Sequence, residues 1–94
     1  MQVVGTSILE EYAARHADVR SRLGAWLEEA KEARWASPAE VIARYRDASI
    51  LSEDRVVFNI RGNAYRLLVR ISYRVGIVRI LRVGTHAEYS KWKL

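Results

Sequence analysis

The C-terminal end of the chain concentrates side chains that can transfer protons beside side chains that bind anions. His86 and Tyr89 follow directly after an arginine-rich stretch. If the chain becomes helical after Thr85, these two side chains are neighbours at i and i+3. A histidine titrates near neutral pH, and arginines stabilise charge that develops on a phosphate. This set is sufficient for metal-free RNA cleavage, in which a base removes the 2′-hydroxyl proton, the oxygen attacks the adjacent phosphate, and an acid protonates the leaving 5′-oxygen.

Each of these residues also has a purely structural interpretation. Tyr89 and Trp92, three residues apart, can form a hydrophobic clamp on the sheet. Glu88 can pair with Arg66 or with a nearby lysine. His16 falls at the end of a predicted helix, where a cation suits the dipole, so we interpret it as structural. Two histidines far apart in the chain, with no clustered acids, predict no metal site and no cofactor.

The charge is distributed very unevenly along the chain. Residues 1–54 contain seven Lys or Arg and ten Asp or Glu, whereas residues 55–94 contain nine Lys or Arg and one acid. The formal net charge of +5 therefore hides a net of −3 on the first half and +8 on the second. A strongly basic half favours a polyanionic ligand such as nucleic acid. The alternative is a solvated arginine-rich face that only keeps the protein soluble.

Length and composition limit the class of protein. The 94 residues suit one domain, residues 1–94. The absence of cysteine excludes a disulfide framework, a thiol nucleophile and a cysteine-ligated zinc. No apolar run of about 18 residues is present, so we expect no membrane association. The N-terminus shows no signal peptide, which makes the cytoplasm the expected location.

The acidic half has the period of helices. Ser7 with Glu10, and Ser37 with Glu40, match capping boxes and predict helices over about 8–16 and 38–46. Asp18 is the predicted N-cap of a helix between them, whose apolar residues recur every three or four positions. Trp26 and Trp35 are expected in the core.

The basic half changes to the alternating period of strands. Residues 56–60, 65–73 and 77–83 alternate apolar and polar side chains, with turn residues Gly62-Asn63 and Gly76 between them. Residues 3–4 and 48–51 can add short strands. The predicted fold is α+β, with the N-terminal helices packed on one face of a small antiparallel sheet.

The first hairpin predicts one register. A two-residue Gly62-Asn63 turn of type II′ pairs Asn59 with Arg66 and places both, with Arg70, on the face that the helices leave open. The second turn leaves two alternatives. A two-residue loop at Val75-Gly76 brings Arg79 onto the Arg66 face, and a three-residue loop brings Arg82 there instead.

Two spaced motifs carry a resemblance to a known family. The segment VFNIRGNAYRL, residues 57–67, resembles the F-N-[IV]-[KR]-G-N-x-[YF]-R-[LI] motif of HigB-type toxins in the RelE superfamily. The segment GTHAEY, residues 84–89, resembles that family's G-T-H-x-E-Y ending, and Trp26, Trp35 and Pro38 resemble its helical half. The similarity covers almost the whole chain. The motif departs at Ser90, where the family commonly has an acid.

The resemblance implies a toxin of a type II toxin–antitoxin system that cleaves mRNA in the ribosomal A site. It implies catalytic roles for His86, Tyr89 and Arg66. The expected RNA-binding residues are Asn59, Arg61, Arg70, Arg79, Lys91 and Trp92, and Asn63 is expected mainly to form the turn.

The implied partners are mRNA, the ribosome and a helix-turn-helix antitoxin of the HigA type, which alone contacts operator DNA. Two alternatives use the same fold. One is a translation inhibitor that binds RNA or the ribosome without cutting, and the other is a domain that binds only a protein.

Overall fold

A five-stranded sheet with helices on one face forms the architecture of the computed structural model, which describes residues 1–94. The predicted α+β class is confirmed. The elements in chain order are β1 (Gln2–Val4), α1 (Thr6–Arg15), a 3₁₀ turn (Ala17–Val19), α2 (Arg20–Glu32), α3 (Pro38–Arg44), β2 (Ser49–Ile50), β3 (Arg55–Ile60), β4 (Tyr65–Ser72), β5 (Ile77–Thr85) and α4 (His86–Tyr89).

The sheet is mixed, whereas the sequence analysis predicted an antiparallel one. Its strand order is β1-β5-β4-β3-β2. The last three strands in the chain form an antiparallel meander, but β1 lies parallel to β5 at the edge of the sheet. A parallel pair needs a long crossover connection. Here the whole helical layer and strands β2, β3 and β4 separate the two partners in sequence, and local alternation does not reveal such a pairing.

The β3–β4 hairpin has the predicted register. Asn59 pairs with Arg66 and Ile60 with Tyr65. The turn closes through the Ala64 N–H, which donates to the Arg61 carbonyl at 3.2 Å. Gly62 has a φ of 63°, as a glycine in the first central position of the turn requires. Arg61 is also left-handed, with a φ of 54°, which the two-residue turn did not predict.

A β-bulge in β5 resolves the alternative between Arg79 and Arg82. Arg70 pairs with Arg79, yet Leu68 pairs with Arg82, so Leu81 is an extra residue between the two pairs. Since residues paired across strands share a face, both arginines lie on the open face. The β4–β5 loop is residues 73–76, and neither loop that the sequence analysis considered occurs.

The starts of the helices differ from the predicted capping boxes. Helix α1 begins at Thr6 after Gly5, which has a φ of 84°, and Ser7 lies inside the helix. A Cβ on Gly5 would lie 3.0 Å from the Ile80 carbonyl oxygen, so the close approach of β1 to β5 sets this start. Asp18 does not cap a helix either, because α2 begins only after the 3₁₀ turn.

The second predicted capping box, Ser37 with Glu40, does not form. Helix α3 begins at Pro38 as predicted, and the Glu40 carboxylate accepts a hydrogen bond from the Ala36 N–H at 3.2 Å. The Ser37 side chain makes no capping hydrogen bond.

The core lies between the helices and one face of the sheet. Phe58 is fully buried at its centre, with ring centroids 5.3 Å from Trp26 and 6.1 Å from Trp35. Both tryptophans are buried, as predicted. No helix of the protein is long and apolar enough to cross a lipid bilayer. With the core on the helical side, the opposite face of the sheet is left for a ligand.

Candidate active site

Arg66, near the start of β4, is the only charged residue that the fold buries, with 8% of its surface exposed. The β3–β4 turn holds its guanidinium. Nη1 donates to the carbonyl oxygens of Asn63 at 2.9 Å and Tyr65 at 3.3 Å, and Nη2 donates to the Asn63 side-chain oxygen at 3.3 Å. Asn63 therefore positions this arginine as well as forming the turn.

The Arg66 guanidinium has no acidic partner. The ion pairs of the protein lie elsewhere, and every hydrogen-bond partner of Arg66 is neutral. A buried cation without a counter-charge is costly, and proteins normally pair such groups. The arrangement leaves the positive charge available to an anion that enters from the open face.

His86 and Tyr89 both lie against this guanidinium. Nη2 of Arg66 is 3.0 Å from Nδ1 of His86, and the Tyr89 ring centroid is 5.5 Å from the guanidinium carbon. Arginine has only donors, so Nδ1 of His86 is the acceptor and the ring proton resides on Nε2. The three residues predicted to be catalytic are thus brought together in one cluster, which we call the Arg66 cluster.

A capping box fixes the short helix that carries His86 and Tyr89. The Thr85 side chain accepts from the Glu88 N–H at 3.1 Å, and the Glu88 carboxylate accepts from the Thr85 N–H at 2.7 Å. The Tyr12 hydroxyl donates to the same carboxylate oxygen at 3.0 Å. Glu88 therefore pairs with neither Arg66 nor a lysine, which corrects the structural interpretation considered for it.

Hydrogen bonding lowers the pKa of Glu88, whereas burial is the main reason that the pKa of Tyr12 is raised. The Thr85 backbone N–H, followed by the Tyr12 hydroxyl, holds the pKa of Glu88 below its usual value. Burial, followed by the hydrogen bond to Glu88, raises the pKa of Tyr12. Glu88 is therefore ionised and committed to holding α4 in place.

Trp92 packs beside the cluster on a glycine. A Cβ on Gly84 would lie 2.8 Å from Cζ2 of Trp92, so the indole ring occupies the space that a side chain would fill. Its ring meets Tyr89 edge to face, with centroids 5.4 Å apart, and lies 4.8 Å from the guanidinium carbon of Arg82. The contact considered as the structural alternative for Tyr89 and Trp92 thus forms, and a partly buried aromatic surface adjoins the Arg66 cluster.

A family model matches residues 19–92 of the chain, and it describes the HigB toxin, the RelE-like toxic component of a toxin–antitoxin system. The chain belongs to the HigB toxin family. The resemblance drawn from the two motifs is thereby confirmed, and membership implies an antitoxin as partner. No curated protein sequence matches the chain.

The segment that matches the family model does not contain every residue that supports the site of this HigB-family toxin. The matched segment contains the whole Arg66 cluster but begins after α1. The Tyr12 hydroxyl that holds Glu88 therefore comes from outside the matched segment.

The remaining predicted RNA-binding residues of the toxin lie in different places. Asn59 is on the open face, but its side-chain amide donates to the Asp47 carbonyl at 3.1 Å. Arg61 lies in the turn, where it pairs with Asp18 at 2.9 Å and is drawn away from the open face. Arg70 and Arg79 are exposed and adjacent on that face. Lys91 is exposed just after α4.

Sequence reasoning overlooked three residues that shape the site. Thr85 and Glu88 form a capping box, and their spacing matches the same S/T-x-x-E pattern as Ser7 with Glu10 and Ser37 with Glu40. Gly84 has no local signal for its role, because the contact with Trp92 depends on the final turn of the chain.

No three His, Cys, Asp or Glu side chains cluster in a way that would hold a metal ion.

Proposed function

We propose that this toxin is an endoribonuclease that cleaves mRNA on the ribosome and so blocks translation in the cytoplasm. The observation that supports this most directly is the buried Arg66 guanidinium, which lacks an acidic partner and lies 3.0 Å from His86. A phosphodiester supplies the missing negative charge, and the proton-transfer groups needed to cleave it adjoin the same guanidinium.

The chemistry follows from the groups in the cluster. A base takes the proton of the 2′-hydroxyl, and the 2′-oxygen attacks the adjacent phosphorus as the bond to the 5′-oxygen breaks. An acid then protonates the leaving 5′-oxygen, which yields a 2′,3′-cyclic phosphate and a 5′-hydroxyl. Arg66 stabilises the charge on the phosphoryl oxygens, and His86 and Tyr89 are the two proton-transfer groups.

The ribosome has a clear role in this proposal. In the free toxin the Nδ1 lone pair of His86 is engaged by Arg66, so the ring is not yet available as a base on that side. A phosphate that draws the guanidinium toward itself frees Nδ1. Holding the 2′-oxygen in line with the phosphorus costs conformational entropy, and the ribosome meets this cost by fixing the mRNA.

The proposed partners follow from membership of the family, and the charge distribution suggests where the antitoxin binds. A helix-turn-helix antitoxin of the HigA type neutralises the toxin, either by covering the basic face or by docking on the acidic helices and preventing ribosome entry. The toxin reaches operator DNA only through that antitoxin.

The test compares Arg66→Ala and His86→Ala with wild type, each expressed without antitoxin. Both variants should relieve growth inhibition and abolish new mRNA 5′ ends in primer extension, because removal of one such group typically costs about 100-fold or more in rate. Arg20→Ala, an exposed arginine on α2, is the matched control and should remain toxic. Circular dichroism checks that each variant is folded.

Two outcomes would refute the assignment. If both variants are folded and fully toxic, the Arg66 cluster is not the active site. If wild type inhibits growth without producing cut ends, the toxin inhibits translation by binding alone.

A further inference from the structure

Three arginines lie side by side across the open face, away from the Arg66 cluster. Arg55 on β3 pairs with Arg70 on β4, and Arg70 pairs with Arg79 on β5. Paired residues of antiparallel strands share a face, so the three side chains emerge in one row. Neighbouring strands are about 4.8 Å apart, which is well within the screening length of physiological salt. We call these residues the arginine row.

The row is not neutralised within the protein. Asp54 is the only acidic partner, with an oxygen 3.2 Å from Nε of Arg70. Arg55 has only a long hydrogen bond of 3.4 Å to the Ser52 hydroxyl, and Arg79 is exposed without an ion pair. Like charges directly opposite one another destabilise a sheet. The fold therefore bears a cost at this place that an anionic ligand would remove.

The row and the Arg66 cluster lie at opposite ends of the same strand. Arg66 and Arg70 are four residues apart on β4, or ~13 Å at about 3.3 Å per residue. Arg82, which the bulge in β5 turns onto this face, pairs with Leu68 midway between them. Positive charge thus continues along the open face from the cluster to the row. Stacked nucleotides rise about 3.4 Å each, so roughly four would span this separation.

We propose that the arginine row binds the sugar–phosphate backbone of the same RNA whose scissile phosphate lies at Arg66. It acts as a second, non-catalytic contact that holds the strand on one side of the cleavage point. This inference rests on the proposed function for the identity of the RNA as ligand. A protein partner with an acidic segment is the competing occupant. The continuity of charge with the Arg66 cluster favours RNA.

The test measures RNA binding rather than cleavage, so that it remains informative if the proposed cleavage fails. The probes are 2′-O-methyl RNA oligonucleotides, which lack the attacking hydroxyl, of about three and about twelve nucleotides. Only the longer probe can reach from the cluster to the row. Fluorescence anisotropy gives the Kd of each probe at several salt concentrations for wild type, the double variant Arg55→Gln/Arg79→Gln, and the control Arg20→Gln.

We expect the double variant to bind the long probe at least about tenfold more weakly at low salt and the short probe as wild type does. The slope of log Kd against log salt should fall by about 1.4, because each lost phosphate contact on a single strand accounts for about 0.7. The Tm of the double variant should equal or exceed that of wild type, since repulsion in the sheet is relieved.

Three results would overturn the proposal. The first is an unchanged Kd and salt slope for the long probe. The second is an equal loss for both probes, which would place the effect at the cluster. The third is unchanged RNA binding together with weakened binding of an oligoglutamate peptide, which would assign the row to an acidic protein partner.

Discussion

The Tyr12 hydroxyl donates a hydrogen bond to the Glu88 carboxylate at 3.0 Å, and so joins the first helix to the last one. The same carboxylate oxygen accepts the Thr85 N–H that begins α4. Since α4 carries His86 and Tyr89, the first helix helps to determine where the proposed catalytic groups lie. The residues are 76 positions apart in the chain, so the contact exists only in the folded toxin.

Replacing Tyr12 with phenylalanine should lower the free energy of unfolding by about 1–2 kcal/mol, because a hydrogen bond to a charged acceptor is lost. Tyr73→Phe is the matched control. The buried Tyr73 hydroxyl has no hydrogen-bond partner, so its removal should leave stability unchanged or raise it by up to about 1 kcal/mol. Urea unfolding measures both, and equal destabilisation by the two changes would contradict the role of the Tyr12–Glu88 bond.

The lowered pKa of Glu88 predicts a specific pH dependence of stability. A carboxyl whose pKa falls on folding stabilises the protein above its ordinary pKa of 4.5, and this contribution disappears as pH drops through the lower value of the folded state. The difference in unfolding free energy between wild type and Glu88→Gln should therefore shrink as the pH falls from about 6 through the ordinary pKa of 4.5 and toward the lower pKa of the folded state. A difference that stays constant over this range would show that Glu88 is not held as an anion.

Gly84→Ala should displace Trp92, because the new methyl group would lie 2.8 Å from Cζ2 of the indole ring. We expect a loss of about 1–3 kcal/mol and an altered tryptophan fluorescence spectrum. Gly24→Ala provides the control, since nothing lies within 4 Å of a Cβ at this exposed helical position. That change should stabilise the toxin by about 0.5–1 kcal/mol. The prediction is confirmed if Gly84→Ala lowers the free energy of unfolding and Gly24→Ala raises it, and it is wrong if both change it in the same direction.

Asp18→Asn should lower the pKa of Tyr65. The Tyr65 hydroxyl donates to the Asp18 carboxylate at 2.6 Å, and this bond to an anion is the main reason that the pKa of Tyr65 is raised. Ultraviolet titration of tyrosinate formation at alkaline pH measures the shift. In the Tyr65→Phe variant, Asp18→Asn should shift the pKa of none of the remaining tyrosines by a comparable amount. If it does, another tyrosine is responsible.

The parts of the fold that are encoded locally were predictable from the sequence. The β3–β4 register follows from a turn and two alternating strands within 18 residues, and both signals agree on it. Helix α3 starts where a serine–proline pair predicts it. The family resemblance, carried by residues 57–67 and 84–89, is confirmed as well, and it pointed to the three residues of the Arg66 cluster.

The parts that depend on distant contacts were not predictable in this way. The partner of β1 is β5, over 70 positions away, and this pairing fixes the left-handed Gly5 that displaced the predicted capping box at Ser7. Asp18 has the right residue type for an N-cap, yet Arg61 and Tyr65 from the far side of the chain engage it instead. In both cases a tertiary contact outweighed a local preference that is worth only about 1 kcal/mol.

The extra residue Leu81 reverses which residues of β5 face the core: even-numbered residues do so before it, and odd-numbered residues do so after it. Upstream of it the even-numbered residues Val78 and Ile80 point into the core, and downstream the odd-numbered Val83 does so. If β5 instead ran through Leu81 with regular alternation, the downstream half would turn over, and Arg82 would point toward the helical side. The bulge therefore allows Arg79 and Arg82, an odd and an even position of one strand, to emerge on the same face of the sheet.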